Sequence, residues 1–138
     1  MPLAEGEVAR VTPPNHITFT PVTSCFTVKV TLAGGDEAGA HFSLMPTGVA
    51  NTFPSDQLVA QLVATIAGTA ITQVDFGGYG DMWSPAYLNL PKMQANGLPN
   101  YTDVQEQQLA RGMSEMAVPI LTALNFFDET AVFYHQAQ

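Results

Sequence analysis

A chain of 138 residues, nearly half of them hydrophobic and few charged, fits one domain with a single buried core and excludes an intrinsically disordered chain. Four Lys and Arg against twelve Asp and Glu leave a formal charge of −8, which repels phosphate backbones and anionic membranes, so no nucleic-acid or membrane partner is expected. One cysteine makes no internal disulfide, three scattered histidines (His16, His41, His135) lack metal-ligand spacing, and no apolar run approaches the roughly 20 residues of a bilayer span.

Residues 1–16 carry Pro13-Pro14 and no clear period, which reads as an N-terminal arm or edge segment before a domain over 17–138. The opening Met1–Glu7 has acidic residues and no basic n-region, so no classical signal peptide is expected. That leaves a cytoplasmic protein, or an effector exported by another route. Residues 24–32 alternate, with Phe26, Val28, Val30 and Leu32 on one face and Cys25, Thr27, Lys29 and Thr31 on the other. Residues 38–45 alternate again, Ala40, Phe42 and Leu44 lying opposite His41 and Ser43. Ala33-Gly34-Gly35-Asp36 between them supplies the positive φ angles of a tight reversal, so the two runs form a β-hairpin.

A helix follows over 55–67, with Ser55 as N-cap, Leu58, Val59, Leu62, Val63 and Ile66 as its apolar stripe, and Gly68 as its stop. A strand over 70–76 then runs into Gly77-Gly78-Tyr79-Gly80, which reads as a turn. Residues 84–100, rich in Pro, Asn and Gly, read as loop. Thr102-x-x-Gln105 resembles a capping box for a helix reaching Leu124, which Pro119 must kink. A strand over 130–135 closes the chain. The fold class is α/β in the α+β sense: a single compact domain with helices on a mixed, largely antiparallel sheet.

Cys25 and His41 are the residues that could carry chemistry. With Ala33 as the hairpin midpoint, they face each other across the ladder, Lys29 faces Glu37, Phe26 faces Ala40 and Val28 faces Ala38. Directly opposed side chains share a face, with Cβ atoms roughly 4.5–5.5 Å apart. An imidazole beside a thiol takes its proton and stabilises the thiolate, which is the nucleophile. Taken singly, a strand cysteine is more often a small buried hydrophobe and a strand histidine a hydrogen-bonded structural residue. The pairing on the less apolar face is what lifts them above that background. The nearest groups to orient the imidazole are Thr20 and Thr23, and the backbone N–H groups of Ser24 and Cys25 could form an oxyanion hole.

The segments Val22-Thr23-Ser24-Cys25-Phe26-Thr27-Val28 and Gly39-Ala40-His41-Phe42-Ser43-Leu44-Met45-Pro46 resemble the signature of the chemoreceptor glutamine deamidase (CheD) family, which shares its fold and Cys–His pair with toxins related to cytotoxic necrotizing factor. The resemblance covers residues 17–80. It implies a cysteine-dependent amidohydrolase that converts a glutamine side chain of a protein substrate to glutamate and ammonia, with no cofactor. Cys25 would be the nucleophile, His41 the general base and acid, and Thr20 the orienting group. The chain departs from the pattern at Thr23, where the family has Gly, and by an extra residue before Pro46. The family's orienting Thr falls on Phe19, so Thr18, Thr20 and Thr23 all stay open for that role. The alternatives are a non-catalytic binding module of the same fold and a thiol hydrolase of another class.

Overall fold

The computed structural model describes residues 2–20, 26–42, 55–78 and 119–136. The first strand, β1 (Pro2–Leu3), pairs in parallel with the equally short β3 (Thr18–Phe19). The main sheet contains β2 (Val8–Val11), β4 (Phe26–Leu32), β5 (Glu37–Phe42), β6 (Ile71–Gly78) and β7 (Val132–Gln136), in the order β2-β5-β4-β6-β7. Its pairings are antiparallel except for β6 with β7, which run parallel. The expected α+β class is therefore correct: a mixed, largely antiparallel sheet with helical residues packed on it.

Alternation decides which face is which. Phe26, Val28, Val30 and Leu32 point with Ala38, Ala40, Phe42, Val74 and Phe76 into one core. There they meet α1 (Ser55–Ile66), whose Leu58, Val59, Leu62 and Ile66 are buried. Val63, read as part of that stripe, is 38% exposed at its margin. Helical residues 119–124 add Ile120, Leu121 and Leu124 to the same core. Most of the expected second helix, with Met113, Met116 and the capping box at Thr102, lies outside the described residues. Trp83, Tyr79, Tyr87 and the 84–100 loop do too.

Three sequence expectations need correction. The hairpin pivots one residue later than expected: Gly34 and Gly35, both with positive φ, occupy the turn, and Leu32 N–H donates to the Asp36 carbonyl over 2.8 Å. The register therefore shifts by two, so that Thr27 faces His41, Lys29 faces Gly39, Val28 faces Ala40 and Phe26 faces Phe42. An even shift leaves every side chain on its expected face, which is why the apolar stripe survived the error. Gly77 and Gly78 belong to β6 rather than to a turn. A Cβ at Gly77 would stand 2.7 Å from Thr27 Oγ1, so the missing side chain lets β6 close against β4 there. Finally, Thr130 is not in a strand. Asp128 accepts hydrogen bonds from its N–H (3.1 Å) and hydroxyl (2.7 Å), which winds 129–131 into a 3-10 turn and delays β7 to Val132.

Candidate functional site

The outer face of the sheet, away from α1, was expected to be open. Over β5 it is not. The N-terminal residues fold across it, Leu3 and Ile17 are buried, and His41 is 0% exposed. The layer is tied on by backbone bonds: Gly6 N–H donates to the His41 carbonyl at 2.7 Å and His41 N–H to the Glu7 carbonyl at 3.1 Å.

The surroundings of His41 fix its tautomer. Nδ1 lies 2.9 Å from the Leu3 carbonyl, which can only accept, so Nδ1 carries the proton and donates. In the neutral ring Nε2 then presents a lone pair, and it has no hydrogen-bond partner among the described residues despite being buried. A buried polar atom left unpaired costs about 1–3 kcal/mol, and such atoms are rare enough to require a reason. The ring stands nearly perpendicular to that of Phe19, at a centroid distance of 5.8 Å and an interplanar angle of 88°.

The group that orients the imidazole is thus the Leu3 carbonyl. Thr20, expected in that role, contributes through its backbone: its N–H donates to the same carbonyl at 3.0 Å. Thr18 is in β3 beside Pro2, and Phe19 packs on the ring. Cys25, Ser24 and Thr23 lie outside the described residues, so the thiol and the expected oxyanion donors have no described geometry. The directly opposed Cys25–His41 pair is nevertheless excluded, because Thr27 holds that ladder position.

Beside this histidine lies a groove of about 330 Å³. Thr27 and Lys29 of β4 form its floor with Asp75 and Gly77 of β6, Ile17 and Phe19 wall one side, and His135 of β7 the other. His135 Nε2–H donates to Asp75 Oδ1 over 2.9 Å, and Gln73 Nε2 donates to Oδ2 over 2.9 Å. Asp75 and His135 are 60 residues apart, and sequence reasoning named no partner for either. The available signal was parity: each alternates with a core residue of its strand, so both project to the outer face.

Among the described residues no three His, Cys, Asp or Glu side chains converge as a metal site, and no helix is long and apolar enough to cross a membrane. In comparisons with known proteins, the chain matches no protein-family model, no curated protein and no solved structure.

Proposed function

We propose that this protein is a cysteine-dependent amidohydrolase acting on a glutamine side chain of a protein substrate, with Cys25 as nucleophile and His41 as general base and acid. The observation that carries the reading is the buried Nε2 of His41, without a hydrogen-bond partner among the described residues, in a ring whose tautomer is held by Leu3. That is the state a base needs before it accepts a proton from a thiol. Covalent connection adds support: Cys25 is bonded to Phe26, whose ladder partner Phe42 is bonded to His41.

In this mechanism the thiol proton passes to Nε2 and sulfur attacks the carboxamide carbon. The tetrahedral intermediate collapses as the imidazolium returns the proton to the departing nitrogen, releasing ammonia and leaving a thioester. Water, deprotonated by the same Nε2, then hydrolyses the thioester to glutamate and regenerates the thiol.

A specific observation favours a second reading, a non-catalytic binding module. His41 is fully enclosed, with Phe19 and Leu3 against it, as a structural histidine would be. Thiol reactivity separates the two. In the enzyme, Cys25 of the folded protein reacts with iodoacetamide well below its ordinary pKa of about 8.5, and His41→Gln moves the profile back toward that value. A Cys25 that stays inert in the native protein up to about pH 9, and reacts only on unfolding, would support the binding module.

A further inference from the structure

Lys29 is an unusual cation in this chain. It is half-buried on the outer face of β4, and its ladder partner on β6 is Asp75. Oppositely charged residues in direct cross-strand register ordinarily pair. Here both Asp75 oxygens are taken, one by His135 and the other by Gln73, and among the described residues Lys29 makes no hydrogen bond or ion pair within contact distance. Glu37 feels its charge, but that carboxylate is bound to the Ile17 N–H and to His16. The other described cation, Arg10, is fully engaged by Asp36 and the end of α1. Among the described residues the Lys29 ammonium thus meets only the longer-range charge of Glu37 and no contact partner, which leaves its hydrogen-bonding capacity open to a ligand. It lines a groove whose volume lies at the lower end of small-ligand sites, and Ile17 and Phe19 offer that groove an apolar wall.

We propose that this groove is a binding site for a small carboxylate-bearing molecule about the size of an amino acid, its carboxylate on the Lys29 ammonium and its apolar body against Ile17 and Phe19. Asp75 keeps its charge beside the site, but its oxygens are engaged by His135 and Gln73 rather than by Lys29, so the ammonium stays available to the ligand. The overall charge of −8 disfavours anions in general, so selectivity rests on this local cation and on contact with the wall. The site is independent of the catalytic reading, since none of its residues serves the thiol chemistry.

The probe is 3-phenylpropionate, titrated into the full chain near neutral pH and followed by backbone amide NMR shifts. The uncharged 3-phenylpropanamide, of nearly the same shape, is the control. The acid should saturate shifts at Thr27, Lys29, Asp75, Gly77 and His135, and bind at least about tenfold tighter than the amide, the effect of one charge-assisted hydrogen bond. Lys29→Met, which keeps the aliphatic stem, should lose that preference, and Lys29→Arg should retain most of it. Equal binding of acid and amide, saturating shifts confined to another surface, or no binding of the acid would each overturn the proposal. The acid–amide comparison on the unmodified protein decides the matter even if a Lys29 variant does not fold.

Discussion

Glu37, at the start of β5, is buried, yet it stays ionised at neutral pH. Burial is the largest influence on its carboxyl group and pushes the pKa up. Against it stand a hydrogen bond from the Ile17 N–H at 2.8 Å, the His16 ring at 3.3 Å and the nearby charge of Lys29. Together these win, and the pKa lies below its ordinary 4.5. A carboxyl group whose pKa is depressed by folding contributes stability above its unfolded pKa, and that contribution is lost as pH falls through the folded value. Glu37→Gln should therefore lower the unfolding free energy at neutral pH, by about 1–2 kcal/mol for the loss of charge-assisted bonds, read in chemical denaturation. Below the ordinary carboxyl pKa the gap from the unmodified protein should close. A gap that stays constant from neutral pH to well below pH 4 would show that the charge of Glu37 contributes nothing. The same residue shows the limit of sequence reading at this scale. Pairing Glu37 with Lys29 across the hairpin was reasonable electrostatics, but the shifted register puts Thr31 opposite Glu37 and leaves Lys29 opposite Gly39.

At the scale of elements, the ends of α1 and of the helical residues 119–124 follow different rules. Asn125 takes a positive φ of 55°, its N–H donates to the Thr122 carbonyl, and the Phe126 N–H donates to Leu121, a Schellman ending built by local residues. Helix α1 also ends locally, with Ala67 and Gly68 at positive φ, but its last carbonyls draw on a distant strand. Arg10 of β2 donates through Nη1 to the carbonyls of Thr65 (3.2 Å) and Ile66 (3.0 Å), through Nη2 to the Thr69 hydroxyl, and through Nε to Asp36. A cation at the negative end of the helix dipole and a planar fork matched to several acceptors add up. Arg10→Ala should destabilise the protein by about 2 kcal/mol in chemical denaturation, since several partly buried acceptors lose their donor. Arg10→Lys should recover only part of that, because an ammonium cannot reproduce the fork. Full recovery by Lys would mean that charge alone matters there. Gly68 as a helix stop was legible from sequence, but Arg10 was not, because nothing local connects residue 10 to residue 66.

The described residues are layered: α1 and residues 119–124 lie on one face of the sheet, β1, β3 and Ile17 on the other over β5. Gly39 is where the second contact is tightest. A Cβ there would stand 2.8 Å from Ile17 Cγ2, 3.2 Å from the Val28 carbonyl oxygen and 3.3 Å from Leu3 Cδ1. The Ile17 methyl could shift, but the Val28 oxygen belongs to the ladder and cannot move without breaking register. Gly39→Ala should therefore cost about 1–3 kcal/mol, the usual range for overpacking. Amide exchange should quicken first at Thr20 and His41, whose N–H groups hold the N-terminal layer in place. An unchanged midpoint and unchanged exchange would show that the layer does not depend on this close approach.

Alternation of apolar and polar residues was enough to assign the core face of β4 and β5, the stripe and stop of α1 and the α+β class, because strand parity and helical period are local properties of the chain. Even the two-residue error in register did not disturb those assignments. Tertiary structure alone decided that the outer face over β5 is covered, that the Leu3 carbonyl orients His41, and that Asp75 and His135 meet beside Lys29. Each of these joins residues from segments far apart in the chain. Their proximity follows from strand order and from how the N-terminus folds back, neither of which leaves a period or motif in the residues that end up in contact.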